Sequence, residues 1–364
     1  MSTNTFREYN WSYLLNTLFP LDHISSRRQI IAGLGALAAL PSTLLSASQH
    51  TVSTQVTPAA LRPGSTIGIV CPASGVTERD LTSFVGLCTS LGLRVKLGDN
   101  VNRRQGYLSA SDDRRASEFM RFVEDRSVDA IMCARGGYGV MRILPSLDFR
   151  AIRDAGKVIV GFSDITALLI AVEQNAGLVS FHGPVASSTF DSFTSSSFAS
   201  MLVDGSSGSS ESIVDPVSPN ATTITRGLAQ GRLTGGNLSM IVSTLGTRYE
   251  IDTTESILFL EEISEEPYRI DRMLTQLWLA GKLQACKGIL LGNFRDCEAK
   301  GSSPLQPSVS LRQVIDERIA SLGVPAVYGM PFGHVKSKLT LPLGIRAELD
   351  ATSRQLRFLQ PAVV

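Results

Sequence analysis

Proton transfer near neutral pH usually calls on a histidine, and this chain has only four. His23 and His50 fall in or beside an N-terminal stretch that reads as an address, which leaves His182 and His334 as possible general bases. His182, in F-H-G-P, follows a run with strand character, whereas His334, in G-M-P-F-G-H, sits in a loop punctuated by glycine and proline. The residue types do not choose between them. A nucleophile candidate is Ser163, in K-V-I-V-G-F-S-D-I-T-A-L-L-I: an apolar strand, then a serine, then a helix. A serine on such a turn stands above the sheet, and the next residue's N–H points toward negative charge developing at the helix N-terminus. The esterase elbow G-x-S-x-G is half matched, because Ile165 replaces its second glycine, and an ordinary N-cap serine would occupy the same place. Glu261 ends the apolar run S-I-L-F-L-E, where a carboxylate can orient a histidine. Glu262, Glu265 and Glu266 follow at once, so chemistry alone leaves the choice of carboxylate open.

The elements that must position these residues come from the periodicity. From residue 65 short apolar runs alternate with amphipathic stretches: strands at 67–71, 94–97, 128–134 and 157–162, with helices at 78–91, 111–126, 140–147 and 164–174. Strands separated by helices argue for βαβ units and a parallel sheet. Residues 187–222 shift to Ser, Thr, Gly, Asp and Pro, the composition of a linker or crossover. Beyond it the pattern gives helices at 238–245, 268–280 and 311–322, strands at 257–260 and 288–291, and a closing hairpin at 345–349 and 355–358. That is a second, more β-rich domain, and the fold class is α/β. The domain expectation is therefore 60–186, a linker at 187–224, and 225–364 carrying the glutamate and the histidine.

The bulk numbers exclude several classes. With 43% hydrophobic and 18% charged residues, a 364-residue chain can bury the cores of two domains. Lys plus Arg at 34 nearly balances Asp plus Glu at 33, so no net field attracts nucleic acid or anionic lipid. Cys71, Cys88, Cys133, Cys286 and Cys297 are scattered and odd in number, which reads as buried thiols. No C-x-x-C or H-E-x-x-H pattern supports a metal, and no cofactor is expected. Gly33 to Ala38 satisfies G-x-G-x-x-A without a preceding strand, and G-G-Y-G lacks the third glycine, so a nicotinamide site is rejected. Residues 25–48, S-S-R-R-Q-I-I-A-G-L-G-A-L-A-A-L-P-S-T-L-L-S-A-S, look like a twin-arginine signal peptide with small residues near 46–48 for cleavage. The apolar part is shorter than the roughly 20 residues a bilayer span needs, so export to the periplasm without stable membrane insertion is the expectation.

Several segments, in order, resemble the LD-carboxypeptidase family of serine peptidases, which also includes microcin C self-immunity hydrolases. They are I-V-C-P-A-S-G (69–75), A-R-G-G-Y-G-V-M-R-I-L-P-S-L-D-F (134–149), V-G-F-S-D-I-T-A-L (160–168), F-H-G-P (181–184), G-R-L-T-G-G-N-L (231–238), F-L-E-E-I-S-E-E-P-Y-R-I-D-R-M-L (259–274), G-I-L-L-G-N-F (288–294) and G-M-P-F-G-H…L-P-L-G (329–344). The resemblance implies a flavodoxin-like N-terminal domain joined to a smaller β-rich domain, with a triad of Ser163, His334 and Glu261 assembled across the two. It implies an oxyanion hole from the N–H groups of Asp164 and Gly137, with Arg135 and Tyr138 either shaping the pocket or holding the loop. The implied reaction releases terminal D-Ala from a murein tetrapeptide, and the implied assembly is a homodimer. Two rivals stand beside it: a hydrolase of a peptidyl-nucleotide antibiotic, and a non-catalytic periplasmic peptide-binding protein.

Overall fold

The computed structural model describes residues 55–203, 212–214, 221–299 and 309–364, so the twin-arginine leader lies outside the described residues. The first half of the fold alternates strand and helix: β1 (Thr66–Val70), α1 (Thr82–Ser90), β2 (Arg94–Leu97), α2 (Asp112–Glu124), β3 (Ala130–Cys133), α3 (Val140–Ile143), α4 (Phe149–Ala155), β4 (Val158–Gly161), α5 (Thr166–Ala176) and β5 (Ser180–His182). The strands A-I-M-C and V-I-V-G are buried along their whole length, as a parallel sheet covered on both faces requires. Helix α2 buries Ala116, Phe119, Phe122 and Val123, the i, i+3, i+4 stripe that lays one face on the sheet. Helix α5 is buried at every residue from Thr166 to Glu173, because it is enclosed by β4, β5, the helix at Leu238–Ser243 and the next sheet.

The chain continues through α6 (Ser192–Leu202), β6 (Ser212–Val214), β7 (Thr222–Thr225), β8 (Leu228–Asn237), α7 (Leu238–Ser243), β9 (Ser256–Ile263), α8 (Pro267–Leu279), β10 (Gly288–Arg295), α9 (Leu311–Ile319), β11 (Ala326–Tyr328), β12 (Leu341–Leu343), β13 (Arg346–Asp350) and β14 (Gln355–Phe358). Two sheets result, a six-stranded one ordered β12-β5-β4-β3-β1-β2 and an eight-stranded one ordered β6-β14-β13-β8-β9-β10-β11-β7. β1 to β5 are mutually parallel, β8 to β11 likewise, and β13 with β14 forms the expected antiparallel closing pair. The architecture is mixed α/β, a parallel-sheet half followed by a β-rich half.

The fold departs from the periodicity at three places that bear on the site. The segment read as a linker contains α6, whose Phe198, Met201 and Leu202 are buried and whose first turn is capped by Asp191 accepting from the Thr194 N–H. Serine and threonine filling the other positions masked its apolar stripe. The expected helix at 140–147 stops early, and a new one starts at Phe149 because Asp148 caps it. Finally, β12 lies late in the chain yet pairs antiparallel with β5 of the first sheet, Leu341 opposite His182. Residues 329–340 therefore cross from one sheet to the other.

Candidate active site

Ser163 leaves β4 through Phe162 and opens a 3-10 turn that runs into α5. Its φ is +64°, a conformation that costs a serine about 1 kcal/mol. The strained turn is over-determined by its neighbours. A Cβ on Gly136 would stand 2.8 Å from the Ser163 Cβ, so only glycine lets the 136–139 loop come this close. Asp164 is buried, and its Oδ2 accepts the Val140 N–H at 2.9 Å, tying the serine turn to the start of α3. Burial raises the Asp164 carboxyl above its usual range. Arg115, fully buried, donates to Pro72, Ala110 and Gly139 carbonyls and to Asp112, and so fixes the other side of the same loop.

The carboxylate and the histidine come from the second half. Parallel pairing of β8 with β9 sets Asn237 beside Glu261. The Asn237 N–H donates to Thr166 Oγ1 at 3.0 Å, three residues beyond Ser163. Two links therefore fix Glu261 against the serine turn. Successive strand residues face opposite sides, so only one of Glu261 and Glu262 can look at the serine. Glu261 does. Glu262 turns away and accepts from Asn237 Nδ2 and the Ser239 N–H at the start of α7. Glu265 and Glu266 lie beyond the strand on partly exposed backbone. The ambiguity left by the residue types is thus resolved by register.

Glu261 Oε2 accepts from His334 Nδ1 at 2.7 Å and from the His334 main-chain N–H at 3.2 Å, and His334 Nε2 lies 3.2 Å from Ser163 Oγ. The carboxylate is fully buried. Burial pushes it toward protonation, but the hydrogen bond and charge of His334, with His182 nearby, outweigh that and hold it below the usual carboxylate range. Gly333 makes the approach possible, since a Cβ there would fall 2.4 Å from Glu261 Oε2. The His334 ring packs against Phe162, with centroids 4.8 Å apart.

The second histidine has a different environment. His182 is 1% exposed, ringed by Phe162, Phe259 and Phe332, with neither ring nitrogen hydrogen-bonded. Burial, reinforced by His334 and Lys338 against the pull of Glu261, pushes its pKa down to about 4. It is a neutral core ring beside the site. All five cysteines are buried free thiols, and burial raises every one, Cys71 and Cys88 to about 12. None competes with the serine.

Gly137 follows Gly136 on the exposed side of the loop, packed against Ser74. Arg135 and Tyr138 are exposed, and the Tyr138 ring lies 5.6 Å from that of Tyr107. Sequence reasoning passes over Asn237 and Lys338. The only signal for Asn237 is its place inside the G-G-N-L segment. The only signal for Lys338 is that it puts a cation in the apolar alternation K-L-T-L-P-L.

A serine, histidine and glutamate joined in this order on two packed sheets define a serine-hydrolase arrangement. Residues 67–183 match the LD-carboxypeptidase N-terminal domain and residues 230–349 the LD-carboxypeptidase C-terminal domain, and the chain belongs to that family of peptidases. It is 39% identical over 302 residues to the probable murein peptide carboxypeptidase of Bacillus subtilis, covering 82% of this chain and 92% of that one. The muramoyltetrapeptide carboxypeptidase from Oxalobacter formigenes superimposes with a TM-score of 0.70 at 34% identity, over 81% of this chain and 98% of its own. Microcin C7 self immunity protein MccF shares the fold, with a TM-score of 0.73 at 24% identity over 85% of this chain and 100% of its own.

Proposed function

We propose that the chain is a serine carboxypeptidase that hydrolyses the L,D-peptide bond of a murein tetrapeptide and releases terminal D-Ala. The observation that carries this reading is the hydrogen-bonded series from Ser163 Oγ through His334 to the buried Glu261 carboxylate. His334 Nε2 accepts the Ser163 proton as Oγ attacks the scissile carbonyl carbon. Glu261 holds Nδ1–H, fixing the tautomer and stabilising the imidazolium that forms. Asp164, the residue after Ser163 at a helix start, and Gly137, the residue after the Gly136 that packs on Ser163, would offer main-chain N–H groups to the oxyanion. The imidazolium then protonates the leaving amine, D-Ala departs, and water attacks the acyl-enzyme by the reverse route. Arg135 and Tyr138 line the entrance in this reading.

The relatives named for murein peptides at 34% and 39% identity support this substrate class over the peptidyl-nucleotide alternative, for which the likeness reaches only the fold. The twin arginine Arg27-Arg28 and the apolar run after it support action outside the cytoplasm. The family resemblance supports a homodimer. Among the described residues no helix is long and apolar enough to cross a membrane.

The test is incubation of the purified chain with disaccharide tetrapeptide, following free D-alanine by mass spectrometry beside the Ser163→Ala protein. Release by wild type alone is the expected result. No release, with Ser163 still labelled by a fluorophosphonate, would turn the reading toward another acyl substrate such as a peptidyl nucleotide. Absence of both release and labelling would turn it toward a peptide-binding protein.

A further inference from the structure

A peptidase that removes one residue from a C-terminus must read a carboxylate about 3.8 Å of chain beyond the scissile carbonyl. The site should therefore hold a fixed cation near the nucleophile whose charge no protein carboxylate has already claimed. Two basic residues are buried among those described, Arg115 and Lys338. The Arg115 guanidinium is committed to three carbonyls and Asp112. Arg295, whose guanidinium contacts the His334 carbonyl, is exposed and pairs with Asp296.

Lys338 differs from both. It is 7% exposed, and its Nζ lies 4.4 Å from the centroid of Phe162, the residue before Ser163, whose ring also packs on His334. No carboxylate stands within ion-pairing distance of that Nζ among the described residues, and no hydrogen bond from it is formed there. The two acids whose charge it feels are already engaged, Glu261 by His334 and Asp191 by the Thr194 N–H and Ser337. The main chain on either side is clamped: the Lys338 N–H donates to Thr194 Oγ1 at 3.1 Å and the Leu339 N–H to the Pro331 carbonyl at 2.7 Å. Burial lowers the ammonium to about 8, against the pull of Glu261 and Asp191, so near neutral pH it remains largely charged. Buried charges in proteins are paired, and a ring face is a weak substitute for a counter-ion.

We propose that Lys338 is the specificity-determining residue that binds the substrate's terminal carboxylate and thereby restricts the site to the last residue of a free C-terminus. The proposal rests on the carboxypeptidase reading of the same site. In the free protein the ammonium lies over the ring of Phe162, the residue before the nucleophile. In the complex the leaving residue's carboxylate completes the ion pair, in a place water reaches poorly, where a charge-assisted hydrogen bond is strong.

The test compares a peptide ending in an L–D bond and a free D-alanine carboxylate with the same peptide as its C-terminal amide. Wild type should prefer the acid by about 100-fold or more in kcat/KM. Lys338→Met should lower kcat/KM on the acid to the level of the amide, chiefly through KM, and Lys338→Arg should restore part of the preference. Thermal denaturation checks folding, and methionine in place of an unpaired buried ammonium should not lower Tm. A Lys338→Met protein that keeps the full acid preference would overturn the proposal. Calorimetric binding of the two peptides to Ser163→Ala, with and without Lys338→Met, separates this from the parent reading. Acid-selective binding that disappears with Lys338 but is never followed by turnover in wild type sinks the peptidase reading alone. Equal binding of acid and amide sinks the Lys338 role, whatever the turnover.

Discussion

Ser163 is presented by its own stretch of chain, with β4 before it and α5 after it, whereas His334 hangs on a crossover whose ends belong to different sheets. The serine turn stores strain, a positive φ held by Gly136, Asp164 and the adjoining helix. The histidine crossover is held by contacts far away in sequence: Glu261 on β9, Phe162 on the serine turn, and α6 through Asp191, Thr194 and Ser197. The difference teaches where each half can fail. The serine turn depends on the loop at Gly136 and Val140 within its own half, but the base is in place only when both sheets are packed.

The largest effects should come from the two ends of the hydrogen-bonded series. Ser163→Ala and His334→Ala should each lower kcat on the order of 10⁴- to 10⁶-fold, and the double variant should be no worse than either alone, because the groups act as a unit. Steady-state kinetics decides this, and additive losses would break the series. The same position sharpens the contrast in stability. Ser163→Gly should abolish turnover yet raise unfolding stability by about 1 kcal/mol, since it relieves the positive φ. A loss of stability there would mean that the turn is not strained.

The next effect sets two adjacent carboxylates against each other. Glu261→Gln should cost about 10⁴-fold in kcat by freeing the imidazole to take the wrong tautomer, while Glu262→Gln, one residue on and facing away, should cost less than about 10-fold. Their pH signatures have opposite sign. Glu261 titrates below its ordinary 4.5 in the fold, so its contribution to stability is full above that pH and is lost as the pH falls below it. Glu262 titrates above 4.5 because of burial, so its ionisation costs stability as the pH rises. Urea unfolding of the two variants should therefore remove a loss below pH 4.5 in one and a loss on raising the pH above 4.5 in the other. Parallel curves would contradict the register that separates them.

The same local-versus-distant division explains what could be read from the residues. The serine turn, the buried apolar strands and their helices were legible because each signal sits within a dozen neighbouring positions. Glu261 could be placed at a strand end and is singled out over Glu262 by the family resemblance, but not by residue chemistry, since the pleat assigns faces only once β9 is paired with β8. Helix α6 was hidden by its serines and threonines, and β12 by its distance along the chain from the sheet it completes. Lys338 was invisible for that reason too. Nothing near residue 338 announces that residue 162 will lie beneath its ammonium.

The two remaining histidines give the finest form of the comparison, because both touch Phe162 and only one reaches the serine. His182→Phe should keep kcat within about 10-fold, as the ring it replaces makes no hydrogen bond and already packs among phenylalanines. Its effect should appear instead in stability against pH. An imidazole depressed from 6.5 to about 4 takes up its proton more readily in the unfolded chain. The fold is thus fully favoured above pH 6.5 and loses stability as the pH falls toward 4, a window that lies above the one set by Glu261. Denaturant midpoints taken at intervals from about pH 7.5 down to about 4.5 should slope in the wild type and flatten in His182→Phe. If the variant instead remained folded and lost turnover as His334→Ala does, His182 would be acting on the reaction, and the assignment of a single base to the crossover would fall.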